Sequence, residues 1–566
     1  MATSILSIGQ SALAAAQVGL STTGHNIANA ATPGFNRQVV VQGAAQPQNY
    51  GFGFMGQGTE ISTVKRIYSE FLGSQVRTAQ TAKSGLDSHY AQIKQIDNLL
   101  ADPTSGLSPA LQDFFSGMQE MSSNPSSIPA RQAALSSAES LASSFQSMAR
   151  RLDEIEQGVN SQITSGVSVI NSYAKQIAQL NDAIGRAQGA TGQPANDLLD
   201  QRDQLILDLN KEIRATVVKQ SDGGYNVFIG NGQPLVVGVT ASSLTTMALP
   251  SDPERIEVAY QTVNGPVIIG ESGLGGGKLG GVLEFRGQTL EPAQQALDDL
   301  AIGLATTFNA QHRLGQDLDG SLGNDFFVVP TADAGASGFA VAITDPRQIA
   351  AAAPILAGAA SANSGTGVIS SGTVNADYLV SPLSAPVSLT FSEGPPEVLS
   401  GFPAGQDVTV TVNGTSTVIS AGAPVPYTSG ATISFGGISF TLGGAPADTD
   451  TFTVGPNTGG VGDNRNALLL GALQTANTLN GGTTTYQGAY SQIVSEIGNK
   501  TRELEVTSRA AGNLLSEANL SLQSESGVNL DEEATNLLRY QQAYQAAGKV
   551  MQIASEMFDV LLSLGR

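Results

Sequence analysis

The stretch ARQAALSSAESLASSFQSMARRLDEIEQGVNSQITSGVSVINSYAKQIAQLNDAIGRAQ (residues 130–188) places Leu141, Phe145, Met148, Leu152, Ile155, Val159 and Ile163 at spacings of three and four. Such spacings bracket the 3.6-residue turn of an α-helix, so these side chains fall on one face. A helical pattern sustained for almost sixty residues exceeds an ordinary globular helix, and a rod-like bundle is the natural reading. Around it, residues 60–190 read as long helices rich in Ala, Gln, Ser and Leu. Their breaks fall at Asp102–Ser108 and Asn124–Pro129. Further helices are predicted over Asn196–Glu212 and near 288–313, 464–479 and 486–525.

In the middle of the chain the period changes from 3.6 to 2. Val408 to Val412 alternates, Asn413-Gly414 turns, and Thr415 to Ile419 alternates back. Asn-Gly between alternating runs marks a hairpin, because both turn residues take positive φ. Asn231-Gly232 and Asn264-Gly265 repeat the signal, and Gly436-Gly437 does so between two further short strands. Residues 331–460 hold eight acids and one base, Arg347, among many Ser, Thr, Gly and Ala. The expected fold is therefore α+β and multidomain: a discontinuous rod-like helical bundle from both chain ends, with inserted antiparallel β-rich domains. The expected divisions are 1–60, a terminal helix and turn paired with 528–566; 61–213, helical and continued by 464–527; 214–330, β-rich with a helix; and 331–463, an outer β-domain.

Composition narrows function. At 566 residues the chain is too long for one core, and ~150 residues per domain suggests about four units. The 27 Lys and Arg against 48 Asp and Glu give a net charge of −21, with no cationic cluster for phosphates or anionic lipid. Absence of Cys removes disulfides and thiolate metal sites. His25, His89 and His312 lie far apart, so no protein-built metal or cofactor site is expected. The longest nearly apolar stretch, Ile349 to Ala362, is short for a membrane span and is broken by Pro354. No secretory signal is evident at the amino end. Yet the first charged side chain is Arg37, an unusual length of sequence without solvating charge.

Both ends carry sevenfold rows. Leu530, Leu537, Tyr544, Met551 and Phe558 recur near the carboxyl end, with Leu562 on a flanking row and Ala547 and Ala554 beside them. Leu6, Leu13, Leu20 and Ile27 do so at the amino end, with Gly9, Ala16 and Thr23 between. A seven-residue repeat presents one stripe to a partner helix. Either the stripes pack within one molecule, or they complete their burial against neighbouring copies. The poor helix propensity and absent charge of the amino segment favour the second.

After this helix comes His25-Asn26-Ile27-Ala28-Asn29-Ala30-Ala31-Thr32-Pro33-Gly34-Phe35. Pro33 disfavours helix at Thr32, and Pro-Gly suits the centre of a type II turn. The string, with Asn26, Asn29, Thr32, Pro33, Gly34 and Phe35 as its signature, resembles the amino-terminal signature of the axial proteins of the bacterial flagellum. The run Val528-Asn529-Leu530-Asp531-Glu532-Glu533-Ala534, continuing through Tyr540-Gln541-Gln542-Ala543-Tyr544 to Phe558, is similar to the hook-associated protein 1 family. Asn196 to Asp203, Gly315 to Phe327 and Gly436 to Val454 agree. The resemblance implies a structural adaptor, not an enzyme, at the hook–filament junction. It implies assembly head to tail through terminal helices, export unprocessed by the flagellar type III route, and an extracellular place on the flagellum. Its implied partners are copies of itself, hook protein, the second junction protein and an export chaperone, with no nucleic acid and no membrane. The alternatives are another axial component, such as the second junction protein or a hook subunit, and a secreted adhesin.

Enzyme signals fail on their own terms. Gly275 to Gly280 has the spacing of a dinucleotide loop, but Val282 to Phe285 is predicted as a strand, leaving no helix start to hold a phosphate. Asp317 to Ser321 opens like a calcium loop, then has Leu322 and Val328 where Gly and Glu are needed. No Gly-x-Ser-x-Gly elbow occurs.

Overall fold

The computed structural model describes residues 2–102, 106–220 and 223–564, and their side chains other than those of 2–4, 561, 562 and 564. The chain forms two compact bodies: residues 1–94, 155–289 and 499–566 make the first, and 95–154 with 290–498 the second. From the amino end come α1 (Ala2–Ala28), then β1 (Gln38–Ala44), β2 (Gln48–Asn49), β3 (Phe54–Met55) and β4 (Thr59–Arg66). Helices follow as α2 (Glu70–Leu100), α3 (Leu107–Ser123), α4 (Ile128–Thr191), α5 (Asn196–Glu212), α6 (Gly277–Phe285) and α7 (Glu291–His312). Then come α8 (Arg465–Ala472), α9 (Tyr486–Ser526) and α10 (Leu530–Leu564).

In the first body β1 pairs antiparallel with β4, and β2 with β3, making one long hairpin after α1. Residues 215–241 form a four-stranded antiparallel sheet and 244–268 a three-stranded one. The predicted strand at Val282–Phe285 is instead the end of α6. Leu279, Val282 and Leu283 are buried at helical spacing, and the glycines serve close packing, not a loop. A Cβ on Gly281 would lie 2.1 Å from the Gly85 carbonyl of α2, and one on Gly277 would lie 2.5 Å from the Ile213 nitrogen. Arg286, fully buried just beyond α6, is neutralised by Glu257 and Glu271 at 2.8 and 2.6 Å.

The second body packs Phe114, Phe308, Phe326 and Phe327 in tilted and edge-to-face pairs, with Phe326 and Phe327 centroids 4.8 Å apart. Its double sheet spans Ile355 to Pro456. One layer orders 355–359, 451–456, 387–392, 398–400 and 425–426; the other orders 368–369, 438–443, 431–435, 408–412 and 415–419. Inward residues alternate with exposed ones, as two facing sheets require. Asn413 and Gly414 take φ of 49° and 81°, and Gly436 and Gly437 49° and 77°, so these two hairpins turn as their sequences predict. At Asn231-Gly232 and Asn264-Gly265 only the glycine has positive φ. The outer β-domain was expected to start at 331. Residues 331–354 instead hold a short ribbon strand, two 3₁₀ turns and the buried run Ile349–Ala353, and the sheets begin at Ile355. The helix expected over 464–479 ends at Ala472. Beyond it the chain runs through turns, and Asn480, Gly481 and Gly482, just past the expected end, all take positive φ.

Candidate assembly site

Helices α1 and α10 lie against each other through small residues. Gly9, Ala16, Thr23, Gly19 and Asn26 are buried on α1; Glu533, Ala547 and Ala554 are buried on α10. Two close approaches fix the contact. A Cβ on Gly9 would sit 2.9 Å from the Met551 sulfur, and one on Gly19 only 2.5 Å from the Tyr540 ring. Gly9 facing Met551 and Gly19 facing Tyr540 make the pair antiparallel.

Of the predicted rows only Met551 is thus shown in this contact, and most of the other large side chains remain open. Leu530, Leu537, Tyr544 and Phe558 are exposed, Phe558 by 45%, and Met551 is half-buried. Leu6 and Ile27 are exposed on α1, while Leu13 and Leu20 are half-buried. Leu562 lies outside the described residues as far as its side chain is concerned. Between α1 and α10 the sevenfold positions are filled by the Gly, Ala and Thr that stood between or beside the large ones. Sequence reasoning saw those residues and treated them as spacers. Their own period of seven was the available signal.

The signature string is brought together as one corner. Asn26 holds the strand that follows its helix: its Nδ2 donates to the Gln38 carbonyl at 2.9 Å, and its Oδ1 accepts from the Gln38 nitrogen at 3.0 Å. Asn29 Nδ2 caps the helix by donating to the His25 carbonyl at 3.0 Å, and Thr32 Oγ1 donates to Asn29 Oδ1 at 3.2 Å. The Phe35 nitrogen donates to the Thr32 carbonyl at 3.2 Å, and Gly34 has φ of 77°. That is the type II turn which Pro33-Gly34 predicts. Pro33 and Gly34 are exposed, and Phe35 packs edge-on against His25 with centroids 5.4 Å apart.

Asn36 then ties the corner to α5, donating its backbone nitrogen and Nδ2 to Asp200 at 3.0 and 2.6 Å. Arg66 from β4 meets Asp200 and Asp203, both at 2.7 Å. Burial raises the pKa of Asp200, while the bonds from Asn36 and Arg66 oppose it. The Arg37 nitrogen donates to the Ser526 carbonyl at 2.8 Å, and its guanidinium pairs with Glu532 at the start of α10. Sequence reasoning did not assign Asn36, Arg66 or Asp200 to the site. Beside this corner runs a cleft of about 710 Å³, lined by His25, Pro33 and Phe35 together with Leu180, Ala183 and Leu205 of α4 and α5.

The enzyme-like motifs are structural. Lys278 pairs with Glu212 at 2.8 Å. Asp317 Oδ1 accepts from the nitrogens of Asp319 and Ser321 at 2.9 and 2.8 Å, and Arg347 pairs with Asp319, closing the turn. Among the described residues no three His, Asp or Glu gather as a metal set. No described helix is long and apolar enough to cross a membrane.

Comparison with known proteins fits this arrangement. Residues 6–36 match the family described as flagella basal body rod protein, and 522–564 the carboxyl-terminal family of the flagellar basal body rod FlgEFG protein. The terminal pair thus defines the class, a flagellar axial protein. Residues 93–327 match the flagellar hook-associated protein FlgK helical domain, and 354–456 the D3 domain of flagellar hook-associated protein 1. Flagellar hook-associated protein 1 of Salmonella typhimurium is 35% identical, covering 99% of this chain and 100% of its own. That of Bacillus subtilis is 25% identical over 99% and 97%. The flagellar hook junction protein FlgK from Burkholderia pseudomallei is 34% identical in its solved structure, with a TM-score of 0.74, over 80% of this chain and 100% of that one. The chain belongs to the flagellar hook-associated protein 1 family.

Proposed function

We propose that this chain is a structural adaptor joining the flagellar hook to the filament, with no catalytic role, and that it assembles head to tail through α1 and α10. The observation that carries the reading is the reversed helix pair. Small residues face inward, while Leu6, Ile27, Leu530, Leu537, Tyr544 and Phe558 remain exposed. Exposed large apolar rows on paired helices are surfaces that await partners. The partners are further copies of the chain, hook protein below and the second junction protein above, with a chaperone covering the rows before export. The uncharged segment before Arg37 and the lack of cysteine suit unprocessed passage through the flagellar type III channel. Immunogold labelling tests the role: the expected result is a band at the hook–filament boundary, and label spread over the cell surface would overturn it.

A further inference from the structure

The hairpin after α1 ends in an aromatic finger whose rings are exposed among the described residues. Tyr50, Phe52 and Phe54 are 40%, 83% and 72% exposed, and Tyr50 stacks on Phe52 with centroids 6.1 Å apart. The finger is ordered by its own bonds, from the Tyr50 nitrogen to the Gly53 carbonyl at 3.0 Å and from the Gly51 nitrogen to Asn49 Oδ1 at 2.9 Å. No charged residue occurs between Arg37 and Glu60. Exposed aromatics on an uncharged, pre-ordered tip are the composition of an anchor.

The same body carries a receptor of matching chemistry in the cleft beside the Pro33-Gly34 corner. Its aromatic wall is the edge-on pair of His25 and Phe35, and its apolar floor is Leu180, Ala183 and Leu205. The finger runs away from this cleft. The hairpin stem is anchored to α1 at Asn26 through Gln38 and leaves it where Gly58 meets Ile8 and the Thr59 nitrogen bonds Ser11 Oγ. Asn26 to Ser11 is fifteen residues, or ~22 Å of helix, so tip and cleft occupy opposite ends of α1. One molecule cannot join them, whereas two copies displaced along α1 can.

We infer that the finger of one copy docks its Phe52 and Phe54 rings into the His25–Phe35 cleft of the next copy. The contact rests on the head-to-tail assembly proposed above and gives it a direction, since each copy offers a finger at one end and a cleft at the other. Three aromatic rings cover at most ~750 Å² on the finger side, short of the ~800 Å² per partner of a standard stable interface. The contact therefore holds only where it is repeated through an assembly, and the free chain does not dimerise through it.

The cysteine-free sequence makes the test direct. Tyr50→Cys with Gln201→Cys, an exposed residue on the cleft rim, keeps Phe52 and Phe54 in place. Oxidised flagella from cells carrying this pair should yield a ladder of covalent multimers of this chain, and each single variant should yield none. Normal filaments without a ladder, or a cross-link from position 50 to a different polypeptide, would overturn the docking while leaving the junction role intact. Loss of the boundary band itself would bring down both. As a second measurement, Phe52→Ser with Phe54→Ser should leave the monomer melting unchanged and reduce filaments per cell about tenfold. Unreduced filaments would overturn the inference.

Discussion

In the double sheet of the second body Leu389, Phe440 and Phe452 point inward and are fully buried, while the residues between them are more exposed. In the terminal helix pair the sizes are exchanged. Gly9, Ala16, Gly19, Ala547 and Ala554 are inside, and Leu530, Tyr544 and Phe558 are outside. The sheet's large apolar surface is closed by its own two layers. The helix pair's apolar area is left largely unspent, and only further molecules can bury it. A region that is finished as a monomer and one that is finished by assembly thus differ in which size of residue occupies the inner row, not in apolar content.

The largest effect should fall where burial is already complete. Phe452→Ala removes a fully buried ring between the layers and should cost ~3–5 kcal/mol, seen as a lowered unfolding midpoint of the purified protein. Filaments need not suffer in proportion if the sheet stands apart from assembly. A loss below 1 kcal/mol, on the scale of surface changes, would erase the contrast.

Acid sharpens the comparison by acting on neither region's core. The double sheet has no histidine, and His25 of α1 is half-buried. His89 and His312 are held neutral by burial, with pKa values lowered from 6.5 to about 4. His312 accepts from the Ala350 nitrogen at 2.9 Å, a bond that protonation breaks. Since the folded values lie below the unfolded one, the unfolded chain takes up protons first. Stability is full above pH 6.5 and falls as pH drops toward 4, by on the order of 3 kcal/mol for His312. His312→Gln should flatten that slope in a pH series of denaturant melts; an unchanged slope would remove His312 from the account.

Next in size is Gly19→Val. The added atoms meet the Tyr540 ring, so α1 and α10 should separate at a cost of ~1–3 kcal/mol. Faster proteolytic trimming of both termini checks it. The smallest effect on the monomer belongs to Phe558→Asp, whose ring is nearly half exposed: a shift within ~0.5 kcal/mol, with filaments lost. Gln552→Asp, also exposed, is the control and should spare both. A large drop in the Phe558→Asp midpoint would mean that the outer row already packs within the molecule.

What the sequence made legible follows the same division. Long periodic helices and tight hairpins are local, so Ile128–Thr191, Asn196–Glu212 and the Asn413-Gly414 turn could be read from spacing and turn chemistry. The misreadings arise where glycine serves packing. Around Gly277 and Gly281 the sequence predicts a strand where a helix forms, because glycines that let two helices touch look like loop residues. At Gly9 and Gly19 the inner row has no signal of size, while the larger rows are read as completing their burial against neighbouring copies. The Asn36–Asp200–Arg66 link joins residues up to 164 positions apart, and no local pattern announces it.

Gly9 and Gly19 also act as notches. They lie ten residues apart on α1, and the Met551 and Tyr540 that seat in them lie eleven apart on α10. Neither interval is a multiple of seven. If the helices slid by one heptad, Tyr540 would meet Ala12 or Asn26, and Met551 would meet Ala2 or Ala16, all residues that carry a Cβ. Two pegs on an interval that the heptad cannot repeat admit a single alignment. An axial pull on the chain ends therefore meets a stop instead of a smooth rail, and the helix pair behaves as a keyed shaft.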